Sequence, residues 1–175
     1  MSIASVFEIF GRLWISLRHG RGYIVDTITG LSDDDKKLIR DSKEVLLQLS
    51  LESGGEIMIK FLKKYPQYLD FYPFKDVPID ELKSNKAFLE LCTELMNAIE
   101  TWIGKLDDPE ELKHILEKTG EEYIREKNIT DPQYFLDFGE TFVDYLVPLV
   151  DKKTLKAWKK FMEFAMKTMA SSLKC

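Results

Sequence analysis

At 175 residues the chain is long enough for one domain with its own core and short for two. Its 45% hydrophobic and 31% charged residues, with six prolines, nine glycines and no low-complexity run, exclude a disordered or collagen-like chain. A net charge of −5, from 25 Lys and Arg against 30 Asp and Glu, argues against a surface built for nucleic acid.

Helical periodicity dominates from the start, and no run reads as strand alternation. Ile3, Val6, Phe7, Phe10, Leu13, Trp14 and Leu17 recur at spacings of three and four, so residues 1–22 form an amphipathic helix ending in the His19-Gly20-Arg21-Gly22 stop. Residues 23–30 read as a connector, and residues 31–175 as the main domain. Ser32 is placed as N-cap with Asp35 in capping-box position. The helix it opens carries Ile39, Val45, Leu46 and Leu49 on its apolar face. Ser53-Gly54-Gly55 starts or bends the next, in which Ile57, Met58, Phe61, Leu62 and Tyr65 point inward. Tyr68 to Pro78 is aromatic and irregular. Ser84 is expected to cap a helix whose buried face is Phe88, Leu91, Leu95, Ile99 and Trp102. Asp108-Pro109 and Asp131-Pro132 each place proline at the first position of a helix. The first of these runs toward Tyr123; the second carries Phe135, Phe138, Phe142, Tyr145, Leu146 and Leu149. Asp151 caps a last helix through Leu155, Trp158, Met162, Ala165 and Met169. The reading is all-α, about eight helices with short connections, plus the N-terminal helix.

From Leu31 to about Met169 the chain resembles a globin, close to the neuroglobin-like branch. The pieces are Ile39-Arg40-Asp41-Ser42, Phe61 ahead of Tyr65-Pro66, the corner Phe71 and Phe74, Phe88-Leu89-Glu90-Leu91, Leu106-Asp107-Asp108-Pro109 and Ala157-Trp158, all in register. The resemblance implies a helical sandwich around a haem slot, with iron held by a proximal histidine and a distal histidine opposite. Leu91 stands at the distal position, followed by Leu95, and Tyr123 stands at the proximal position in Thr119-Gly120-Glu121-Glu122-Tyr123. The two are 32 residues apart, the spacing that branch implies. The haem-slot positions by resemblance are therefore Phe71, Leu91, Leu95 and Tyr123, with Phe71 and Phe74 walling the mouth.

Neither of the two histidines substitutes. His114 lies nine residues before Tyr123, on the opposite helix face at ~3.6 residues per turn, and His19 lies outside the domain. Cys92 and Cys175 give no disulfide framework, which suits a reducing, cytoplasmic compartment. Cys92 reads as a small buried hydrophobe, with thiolate ligation the alternative. Three functional readings remain. In the first, no cofactor and no metal are expected: side chains plug the slot, and the protein is a non-enzymatic sensing or binding module. In the second, Tyr123 is the metal ligand and holds ferric haem as a tyrosinate, for redox, haem or small-gas handling. In the third, the slot carries a small apolar ligand. No nucleophile–base pair, paired carboxylates or phosphate loop points to an enzyme.

Arg12, Arg18 and Arg21 against Glu8 make the first helix basic. It has no signal-peptide pattern, and Ser2 replaces the glycine that myristoylation needs. Residues 1–22 are expected to pack on the domain, on a partner protein, on an anionic membrane surface as a peripheral contact, or on a second copy, leaving monomer or homodimer open.

Overall fold

The computed structural model describes residues 25–47 and 50–172. The expected N-terminal helix, with His19, and the residues Leu49 and Cys175 lie outside these.

Eight helical elements follow in order: α1 (Asp33–Leu47), α2 (Ser50–Lys64), short 3-10 helices over Pro66–Phe71 and Ile79–Ser84, then α3 (Lys86–Gly104), α4 (Pro109–Lys127), α5 (Gln133–Leu146) and α6 (Lys152–Ser171). The described residues contain no strand, only an isolated antiparallel bridge between Val25 and Ser32. The capping box at the start of α1 forms in both directions. The Asp35 amide donates to Ser32 Oγ at 3.1 Å, and the Ser32 amide donates to Asp35 Oδ2 at 3.0 Å. Asp108 accepts from the Glu111 amide, with proline following at the first helical position, and Asp151 accepts from the Lys153 and Thr154 amides.

Three local expectations are corrected. The cap of α3 is Asn85, not Ser84: Asn85 has extended backbone, and its side chain accepts from the Phe88 amide at 3.1 Å. Ser84 still belongs to the preceding 3-10 turn. Gly54 and Gly55 neither start nor bend a helix but sit inside α2. A Cβ at Gly54 would lie 2.9 Å from the Cys92 carbonyl oxygen, so this glycine lets α2 cross α3 with backbones nearly in contact. Val45 and Leu149 are exposed rather than buried, Leu149 because α5 has ended at Leu146.

α6 is the central element. α5 runs back along it, and α4 and α1 also pack on it, while α2 crosses α3 and α5. Trp158 in α6 is fully buried and donates from Nε1 to Ser42 Oγ in α1 at 2.9 Å. Because α4 leans on α6 rather than on α3, a gap remains between α3 and α4.

Candidate functional site

A cavity of about 330 Å³ occupies that gap. Such a volume lies at the small end of the ~300–1,000 Å³ typical of small-molecule sites. α3 contributes Leu91, Leu95, Ala98 and Trp102; α4 contributes Thr119 and Tyr123; α5 contributes Tyr134, Phe135 and Phe138. Met58, Met166 and Met169 close the inner wall. The walls are apolar, whereas the mouth carries Glu94, Glu122, Glu126 and Lys127.

Three of the four residues singled out by sequence, Leu91, Leu95 and Tyr123, meet at this cavity from opposite sides. Phe71 does not line it. Its ring packs against Tyr68 at 6.2 Å and Tyr134 at 6.1 Å, one layer further out. Phe74 is also elsewhere, buried between Tyr72 (5.0 Å, stacked) and Phe88 (5.5 Å, edge-on). The aromatic corner therefore backs the site without walling its mouth. Of the nearby tyrosines Tyr134 lines the cavity, and its hydroxyl is hydrogen-bonded to that of buried Tyr72 behind it. Sequence reading missed Tyr134. Its only signal was its place two residues after Pro132, at the start of an aromatic helix.

Tyr123 is partly exposed, and its hydroxyl forms no hydrogen bond with any described residue. Burial, and secondarily the Glu94 carboxylate, push its ionisation up to about 12, so on its own it stays a neutral phenol. The Lys127 ammonium lies 5.6 Å over its ring and 5.8 Å over the Tyr72 ring. His114 is exposed and does not reach the cavity. Cys92 is buried against Gly54 at the α2–α3 crossing, with its thiol pushed up to about 12 by burial, which rules out a ready thiolate. Among the described residues no cluster of His, Cys, Asp or Glu is placed to hold a metal ion by itself.

The described chain matches the family model for Globin over residues 55–169, which is most of the domain. The chain belongs to the globin family. A globin of Nerita albicilla is 25% identical over 141 residues, covering 78% of this chain and 88% of that one. Among solved structures, a Drosophila melanogaster globin superposes with a TM-score of 0.74 at 22% identity, covering 79% of this chain and 93% of the other. A hexacoordinated haem protein from an anhydrobiotic tardigrade superposes with a TM-score of 0.78 at 17% identity, covering 86% and 99%. These findings overturn the expectation of a chain without cofactor. Loss of both histidines was read as loss of haem, but the family is Globin and the fold is shared with a protein described as a hexacoordinated haem protein.

The residues present fit haem in their donor chemistry. A phenol oxygen with no hydrogen-bond partner among the described residues lines a largely apolar cavity, as a tyrosine ligand to ferric iron would. Lys127 is the only described cation at the mouth, and so the one available to a porphyrin carboxylate. The three mouth glutamates oppose such a carboxylate on their own side.

Proposed function

We propose that this globin binds haem in the α3–α4 cavity, with Tyr123 as the ligand from the chain and Leu91 and Leu95 as the apolar opposite wall. The observation that carries the reading is the place of Tyr123, the phenol that α4 brings to a largely apolar cavity facing Leu91 and Leu95, with no hydrogen bond from its hydroxyl to any described residue. Bound haem would supply a ferric iron able to take the phenolate oxygen, and such ligation favours ferric over ferrous iron. The role is therefore redox or haem handling rather than oxygen carriage. Leu91 offers no hydrogen bond to a ligand on its side, and Lys127 is placed to offset the phenolate charge. No helix among the described residues is long and apolar enough to cross a membrane.

Haemin titration followed by gel filtration tests this. The expected result is a one-to-one complex with a Soret band and a tyrosinate-to-iron charge-transfer band. Tyr123→Phe, which keeps the ring packing, should abolish the second band and weaken retention of haem. A protein that retains no haem, or a Tyr123→Phe spectrum identical to the parent, overturns the proposal.

A further inference from the structure

The cavity wall continues into a line of tyrosines that reaches the surface. Tyr134 lines the cavity, with its ring 6.2 Å from that of Tyr123. The Tyr68 ring lies 5.1 Å from Tyr134, and the Tyr65 ring a further 5.8 Å on, half-buried beside Lys64. The two outer phenols each donate to a carboxylate: Tyr68 to Asp137 Oδ2 at 2.6 Å, and Tyr65 to Glu140 Oε2 at 3.0 Å. Asp137 is itself buried and is held in place by Gln133 Nε2, which donates to its other oxygen at 2.7 Å. Packing alone does not ask for this. Phenylalanines at these positions would fill nearly the same volume, and Asp137 would not need to be buried at all.

A phenol gives up an electron at an accessible potential when its proton leaves at the same time. A carboxylate already hydrogen-bonded to the hydroxyl accepts that proton without diffusion. We infer that Tyr134, Tyr68 and Tyr65 form a one-electron relay between the cavity and the surface, with Asp137 and Glu140 as its proton acceptors. Tyr134, bonded only to another phenol, bridges; Tyr68 and Tyr65 are the stations. The relay rests on the haem reading for its oxidant, a hydroperoxide reduced in the haem-bearing cavity. That reduction takes two electrons and two protons and yields an alcohol and water. Each electron leaves Tyr68 as its proton passes to Asp137. Tyr65 then refills Tyr68, the Asp137 proton returning and the Tyr65 proton passing to Glu140. An outside donor of the ascorbate class restores Tyr65 with one electron, and Glu140 returns the proton. Two donors, each losing one electron and one proton, balance one hydroperoxide.

The test has one arm that needs no haem. Glu126, exposed at the cavity mouth, is changed to cysteine in a Cys175→Ser background and labelled with a ruthenium polypyridyl photo-oxidant; buried Cys92 is left in place. Flash oxidation should give a neutral tyrosyl radical by electron paramagnetic resonance, located at Tyr65. Tyr65→Phe should move it to Tyr68, and Tyr68→Phe should abolish the Tyr65 radical while circular dichroism shows the fold intact. A Tyr65 radical undiminished in Tyr68→Phe, or no radical beyond Tyr123 in the parent, overturns the relay. The second arm repeats the assay with hydrogen peroxide on haemin-loaded protein, and the Soret band reports haem independently. Relay radicals in the first arm without haem uptake in the second sink the haem reading alone. Haem uptake without a radical at Tyr65 in either arm sinks the relay alone.

Discussion

Tyr65, Tyr68, Tyr72, Tyr123 and Tyr134, five of the seven tyrosines, are all held protonated above the ordinary phenol value. Burial is the largest cause at each, because a phenolate loses more solvation than a phenol, and nearby carboxylates or phenols add to it at each. In the unfolded chain the same groups ionise near pH ~10. Their folded values are raised, so the stability they contribute is fully present below ~10 and drains away as pH rises toward the folded values. Haem-free protein titrated with base should therefore show phenolate absorbance lagging behind that of the denatured chain, then rising together with loss of helical circular dichroism. Phenolate appearing near pH ~10 from all tyrosines with the helices intact would mean that the hydroxyls are open to water.

One turn before Tyr123, α4 comes within backbone contact of α6 at Gly120. A Cβ added at Gly120 would stand 2.5 Å from the Met169 carbonyl oxygen and 3.0 Å from the Met169 Cα, both backbone atoms of α6 that no rotamer change can move. Alanine would gain about 1 kcal/mol of helix propensity. Overpacking against a rigid neighbour costs roughly 1–3 kcal/mol, and here sits at the upper end because backbone must shift. Gly120→Ala should lower the melting temperature and, by lifting α4 one turn from Tyr123, weaken haem retention. An alanine variant with an unchanged melting temperature and unchanged haem binding would show that α4 is not seated on α6 as described.

Across the whole molecule, the start of α1 is tied to the central helix by a charge pair between elements far apart in sequence. Lys160 Nζ donates to Asp35 Oδ2 at 2.7 Å, and Asp35 also accepts from Ser32. Burial alone would raise the Asp35 carboxyl, but the hydrogen bonds from Lys160 and Ser32 outweigh it and hold it below the usual carboxylate range. A depressed folded value contributes stability above the unfolded value of ~3.9, and that contribution is lost as pH falls through the folded one. The Lys160 side chain is 40% exposed, so solvent screens part of the interaction, and Lys160→Met should cost up to about 1 kcal/mol at neutral pH. Denaturant melts of parent and variant should converge below pH ~4. A difference that persists undiminished in acid would assign the loss to packing of the lysine stem.

The sequence by itself determined the six described α-helices and the caps at Ser32, Asp108 and Asp151, because those side chains act on amides two or three residues away and apolar spacing is a local property. The resemblance to the globin family, rather than any local pattern, placed Leu91, Leu95 and Tyr123 in one slot, and all three line the cavity. The tertiary structure alone decided which side chains line the slot and which only back it. Gly54 and Gly120 look like helix breakers in a string of letters and become contact points only when another backbone arrives. Tyr68, Tyr72 and Tyr134 are separated by up to 66 residues, yet their hydroxyls and rings meet in one buried layer. Phe71 was misplaced for the same reason. One of its two ring neighbours, Tyr134, comes from a helix more than 60 residues further on, and no local pattern says whether an aromatic of the corner faces the cavity or backs it.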